Sequence, residues 1–164
     1  MKKLFAVLLC LLIGCSVLCA PIAQAQEETG ILVSQQVEYL EDGSKIVTCV
    51  YEEVSNQGIA TAATTVTKSG KKTKSVYDED NELLFTLTVN GTFTVVTGSS
   101  ATCTASSYSY SVSASSWSFK TGSATKSANK ATANGTFVKK FLGITTETKT
   151  ASVTLTCSTS GTLS

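Results

Sequence analysis

The stretch 83–95 constrains this chain more than any other. Leu83, Phe85, Leu87, Val89, Gly91, Phe93 and Val95 fall on one side of a period-two alternation, and Thr86, Thr88, Asn90, Thr92 and Thr94 fall on the other. A long β-strand with one dry and one wet face requires that pattern. Asn-Gly is ordinarily a hairpin signal. A two-residue turn at Asn90-Gly91, however, would set Val89 against Thr92 and Leu87 against Thr94, mixing the faces. The strand is therefore expected to run through, with Gly91 facing inward where a bulky neighbour comes close. Outside the N-terminal leader no segment sustains apolar spacing of three and four residues, so the layer that covers this strand is expected to be another sheet.

Taken in order, residues 30–40 and 45–54 read as strands joined by a turn at Glu41-Asp42-Gly43-Ser44. Residues 59–67 and 72–77 read as a second hairpin turning at Ser69-Gly70, with lysines that suit a sheet edge. Asp78-Glu79-Asp80-Asn81 leads into the long strand, and Gly98-Ser99-Ser100 leads out of it. Ala101, Cys103 and Ala105 share one face of the next strand; past an irregularity at Ser106-Ser107, Tyr108, Tyr110, Val112 and Ala114 continue at period two. Trp117 and Phe119 then fall on the opposite parity, so a bulge or tight turn is expected at Ser115-Ser116. Ala131, Ala133, Gly135 and Phe137 alternate again, 141–144 turns, and Ala151, Val153, Leu155 and Cys157 line the inner face of a last strand. Asn134-Gly135-Thr136-Phe137 repeats Asn90-Gly91-Thr92-Phe93, and each copy precedes a strand with an inward cysteine, as two related halves or chance in a Ser/Thr-rich chain would give. The expected fold is all-β: an antiparallel β-sandwich or barrel-like sheet pair built from hairpins, one domain over 26–164, after an N-terminal signal-peptide helix.

That leader is explicit. Met1-Lys2-Lys3 supplies positive charge, 4–18 is almost wholly apolar, and Ala23-Gln24-Ala25 places small residues at both cleavage-determining positions, so cleavage is expected after Ala25. Leu12-Ile13-Gly14-Cys15 offers a rival reading as a lipobox, with the protein anchored through a lipidated Cys15; the apolar Val17-Leu18-Cys19-Ala20 behind it makes a poor tether. No other segment approaches the run of about 20 apolar residues that spans a bilayer. A secreted, extracellular protein whose mature domain does not span a membrane is expected.

Composition narrows the chemistry. The chain has no histidine, which removes the commonest general base, the Ser-His-Asp and Cys-His arrangements and the usual zinc sites. Every acidic residue except Glu147 lies at or before Glu82, and Glu52-Glu53, adjacent in a strand, point to opposite faces. Enzymatic activity and a cofactor are not expected, and a hydrolase is the weakest alternative. The later lysines are scattered and arginine is absent, so nucleic acid is not an expected partner. Asp78, Glu79, Asp80 and Glu82 form the one dense set of oxygen ligands, a calcium candidate that lacks the glycine and distal glutamate of an EF-hand loop and reads better as a solvated turn.

Two further groups invite function. Past the leader the cysteines are Cys49, Cys103 and Cys157. Cys103 and Cys157, both inward by parity, are the expected disulfide in an exported protein, worth about 4 kcal/mol on the chain-entropy model. The alternative is a pair of buried thiols, and Cys49 is expected to be inert. Tyr108, Tyr110, Trp117 and Phe119 are the one aromatic concentration: either core, or a strip that stacks on sugar rings or a partner protein at the cell surface. A membrane-active β-hairpin over 108–119 is a third reading, since barrel strands alternate in the same way.

The pattern of 83–93, Ala101-Thr102-Cys103-Thr104, Trp117-Ser118-Phe119, Gly135-Thr136-Phe137, Leu142-Gly143-Ile144 and Val153-Thr154-Leu155-Thr156-Cys157 makes the segment 77–163 resemble a family of small secreted proteins of Gram-positive gut bacteria that carries a domain of unknown function. The resemblance implies a signal peptide, a compact β-rich domain and no assigned activity. A binding or interaction module at or outside the cell envelope is the functional expectation.

Overall fold

The computed structural model describes residues 30–54 and 65–164. The expected signal peptide, the alternative lipobox at Cys15 and residues 59–64 of an expected strand lie outside them. The described strands are β1 (Ile31–Tyr39), β2 (Lys45–Glu52), β3 (Thr65–Tyr77), β4 (Leu83–Val96), β5 (Ser100–Val112), β6 (Trp117–Ser127), β7 (Lys130–Phe141) and β8 (Ile144–Thr156). They form a five-stranded sheet in the order β1-β2-β3-β4-β5 and a three-stranded sheet in the order β6-β7-β8, antiparallel throughout. Every hydrogen-bonded neighbour is also the neighbour in sequence.

The long alternation is the centre of the first sheet. β4 runs unbroken through Asn90-Gly91, and Phe85, Leu87, Val89, Phe93 and Val95 are buried on its inner face. One extra residue, Leu84, is accommodated where the β3–β4 register shifts, so Leu84 joins the core and Leu83 is left half-buried. A second shift at Thr104 turns Ala105 outward, against its expected parity, while Cys103 stays buried. The change of parity between Ala114 and Trp117 is a tight turn in which the Trp117 amide donates to the Ala114 carbonyl at 3.0 Å. That turn carries the chain from the first sheet into the second.

β4 and β7 face each other across the core, and the two Asn-Gly-Thr-Phe copies pack by one rule. In each, the ring of the phenylalanine lies over the glycine two residues earlier, the contact by which an aromatic covers a strand glycine. Gly91 also meets Ala131 and Gly135 meets Leu87 from the opposite sheet. Phe85 stacks on Phe137 with centroids 3.8 Å apart, and Trp117 leans on Phe85 at 5.5 Å. Each such buried ring contributes roughly 2–3 kcal/mol of apolar transfer.

Two expectations for β3 are corrected. No turn forms at Ser69-Gly70, and β3 is an inner strand of its sheet rather than an edge. Gly70 pairs with Glu52 and Gly91 inside the strand, and glycine is required there because the Tyr51 carbonyl oxygen would stand 2.5 Å from any Cβ and the side chain of Leu163 packs against the same spot. Leu163 arrives by a C-terminal reversal: Ser158 and Thr162 close a turn, and Thr156 and Ser164 exchange backbone hydrogen bonds at 2.9 Å along the free edge of β8. Inner-face alternation along β3 gives Val66, Lys68, Gly70, Lys72, Lys74 and Val76, so three lysines stand where apolar residues are the rule.

Candidate binding site

The second sheet carries its functional interest on the outer side. Gly122, Gly135 and Ala151 lie in register across β6, β7 and β8, and all three face the core. Tyr108 from β5 packs against Gly122. The rows on either side point outward: Thr121, Thr136 and Thr150 in one, Ser123, Asn134 and Ser152 in the other. Together with Lys74 from β3 they line a trough of about 570 Å³ that reaches across all three strands to the seam beside β8. Register shifts at Lys120 and Thr146 bound it at one end and add local twist. Six hydroxyl and amide side chains in a two-by-three grid both donate and accept hydrogen bonds, and the lining holds one ammonium and no carboxylate.

The aromatics divide. Trp117 is 6 % exposed and belongs to the core, the first of the two readings open for it. Phe119 is half-buried against Phe137, and Tyr110 stacks on it at 3.7 Å with 48 % of its surface open. Tyr108 lies 6.2 Å from Phe119. Tyr108, Tyr110 and Phe119 thus form a ledge at the opening between β5 and β6, with Tyr110 as its accessible member.

Cys103 and Cys157 are brought to the same place. The Cys103 amide donates to Ala128 at 2.7 Å and the Cys157 amide to Asn129 at 3.0 Å, so the two strands grip adjacent residues of the β6–β7 turn. Both are buried free thiols in the structure, which departs from the expected disulfide. Burial pushes both thiol pKa values up, and a neutral buried thiol is a poor nucleophile. Cys49 is a free thiol on β2, half-buried.

The acidic turn spends its leading carboxylate locally. Asp78 accepts the Glu82 amide at 2.8 Å through Oδ1 and the Asn81 amide at 3.1 Å through its carbonyl. Among the described residues no three carboxylate, cysteine or histidine side chains converge as a metal site. Asp42 caps the β1–β2 turn in the same manner, and the hydrogen bonds from Ser44 hold its carboxyl below the usual range. At this end Asp42, Asp78, Glu79, Lys139, Glu147 and Lys149 surround a depression of about 260 Å³ floored by Leu84 and Trp117. Beside it the β7–β8 hairpin ends in Phe141, Leu142 and Ile144, with Leu142 87 % exposed and at φ 48°.

Lys72 and Lys74, expected at a sheet edge, lie on an inner strand. On β3 they sit opposite Val50 and Thr48 of β2 and Val89 and Leu87 of β4. Burial holds the Lys72 ammonium below the ordinary lysine pKa. Lys68, two positions beyond Gly70, is paired with Glu52. Among the described residues no helix is long and apolar enough to cross a membrane. No family model, curated protein or solved structure matches the chain.

Proposed function

We propose that this protein is an exported, non-enzymatic binding module and that its ligand is a hydroxyl-rich chain molecule, such as a polysaccharide, laid in the trough of the second sheet. The observation that carries this reading is the grid of Thr121, Thr136 and Thr150 beside Ser123, Asn134 and Ser152, set on a three-strand platform that the core holds rigid from below. Strand-borne side chains are held more rigidly than loop-borne ones, and rigid polar groups lose less entropy on binding. The trough also spans three strands, which suits an extended ligand better than a small compact one. Export rests on the leader over 1–25 and on the resemblance of 77–163 to small secreted Gram-positive proteins.

The test is binding of the mature protein to a panel of soluble polysaccharides by affinity electrophoresis, with Asn134→Ala and Thr136→Ala as variants. Retardation by at least one polymer, lost on the double substitution while the urea midpoint is kept, is the expected result. A panel that retards neither protein, or both equally, removes the trough reading.

A second reading, docking on a partner's apolar surface through the β7–β8 tip, is favoured by the exposure of Phe141, Leu142 and Ile144 together. Replacing all three by Ser, Asn and Thr would abolish such docking and leave polysaccharide retardation intact.

A further inference from the structure

The geometry points to an acidic ligand: we infer that the seam between β3 and β8, at the end of the trough, receives the oxyanion groups of a hydroxylated polyanion, with Lys74 and Lys72 as the residues that bind them. This rests on the trough as the binding site and adds the ligand's charge.

The argument begins with where these lysines stand. Inner-face positions of β3 look toward the second sheet, and their β4 neighbours Val89 and Leu87 are fully buried. An ammonium in such surroundings loses hydration and is ordinarily compensated by an acidic partner. The rest of the seam follows that rule. Lys68 is paired with Glu52 at one end, and Lys149 with Glu147 at the other, at 3.5 Å. Lys72 and Lys74 lie between those two neutral pairs, and their cross-strand neighbours, Val50, Thr48, Val89 and Leu87, carry no charge. Among the described residues neither lysine's ammonium has a hydrogen-bond or ion-pair partner. The seam thus holds two uncompensated lysines whose backbone positions lie about 6.6 Å apart along the strand at a rise of about 3.3 Å per residue. Lys74 opens directly on the trough. A chain hydrogen-bonded across the hydroxyl grid and continuing past β8 would bring its next groups to these two ammonium ions, and oxyanions there would gain charge-assisted hydrogen bonds. The depressed Lys72 pKa is consistent with the same desolvation.

The competing account is that the lysine stems merely cover Val50 and Val89 while their heads reach water. The two accounts separate in binding to polymers of one backbone: dextran, carboxymethyl dextran and phosphorylated dextran, measured by calorimetry with the mature protein. The acidic forms are expected to bind about tenfold more tightly than dextran, with the preference falling as salt rises. Carboxylate and phosphate forms together show which oxyanion is preferred. Lys74→Gln and Lys72→Gln should each reduce the preference and the double variant abolish it, whereas Lys74→Arg keeps it and Lys140→Gln, on the exposed hairpin, changes nothing. Urea midpoints of every variant establish that folding is intact. Equal affinity for the neutral and acidic polymers, or unchanged binding in the Lys72→Gln/Lys74→Gln double variant, overturns the inference and leaves the trough standing. Acidic-polymer binding that survives Asn134→Ala/Thr136→Ala but not the lysine changes places the site at the seam alone and removes the trough reading. Failure of all three polymers to bind overturns the inference, and the trough reading falls with it when the polysaccharide panel also gives no retardation.

Discussion

Replacing Gly91 and Gly135 by alanine, one at a time, tests the core packing most sharply, because the two occupy equivalent places in the repeated Asn-Gly-Thr-Phe segment but meet different neighbours. A Cβ on Gly91 would stand 2.8 and 2.9 Å from the Phe93 ring and 3.0 Å from the Ala131 Cβ. The last of these is on the opposite sheet and cannot rotate away. A Cβ on Gly135 would meet Phe137 at 3.2 Å and the two Leu87 methyls at 3.2 and 3.4 Å, contacts that a shift of a few tenths of an ångström relieves. Overpacking a core costs about 1–3 kcal/mol, and removing a strand glycine returns about 0.5–1 kcal/mol of backbone entropy. Gly91→Ala is therefore expected to be destabilised by roughly 1–2 kcal/mol and Gly135→Ala to lie within about 1 kcal/mol of wild type. Urea unfolding followed by the fluorescence of Trp117, the one tryptophan, reads this as a lower midpoint at unchanged slope. Gly91→Ala as stable as wild type, or Gly135→Ala the more damaged of the two, would refute the cross-sheet packing described for β4 and β7.

Leu142 occupies a turn position with φ 48°, where asparagine is at ease and leucine is strained; Leu142→Asn should raise stability by about 0.5–1 kcal/mol, seen as a higher melting temperature. Trp117→Ala removes a ring packed on Phe85 and should cost about 3–5 kcal/mol in urea unfolding followed by far-ultraviolet circular dichroism, since the variant has no tryptophan. Titration of the chain over 26–164 after unfolding without reductant should count three thiols, two of which, Cys103 and Cys157, react slowly in the native state; a count of one would mean that those two are bridged. Because burial raises both thiol pKa values above the usual 9.0, the unfolded chain ionises first as pH rises. The stability present below that value should decline as pH rises past it, and Cys103→Ala/Cys157→Ala should flatten the decline from about pH 9 upward. Lys72, held below the usual 10.5, works in the opposite direction as pH rises toward that value.

What the residues disclosed in advance was whatever local alternation and turn chemistry could carry. The unbroken β4, the Asp42-Gly43 and Leu142-Gly143 turns, the reversal before Trp117 and the inward face of β8 were all readable, because each depends on neighbours a few positions away. Gly70 was not. Its place inside β3 is set by Leu163 and by the Tyr51 carbonyl, contacts made by distant parts of the chain, so local rules gave a turn instead. Parity was lost wherever one strand held an extra residue, at Leu84 and Thr104. β6 beyond Lys120 is serine, threonine, glycine, alanine and lysine, with no large apolar residue to mark it as a strand. The trough was hidden for a related reason: its outward threonines and serines are the same residue types that any solvated strand face uses, and only the register places six of them together. The lysines of β3 resembled the guards of a sheet edge until the strand order placed them inside.

The strictly sequential strand order has a kinetic consequence. Each new strand can add to the one just completed, so no hydrogen-bonded pairing in either sheet waits for a distant segment to return, and the loop-closure entropy lost at each addition is small. The contacts that must wait are those of β4 with β7 and of β3 with β8. Hairpin growth should therefore be the quick phase, and docking of one layer on the other the slow one, so substitutions at the layer interface would slow folding where a change at the buried Val50 of β2 mostly speeds unfolding.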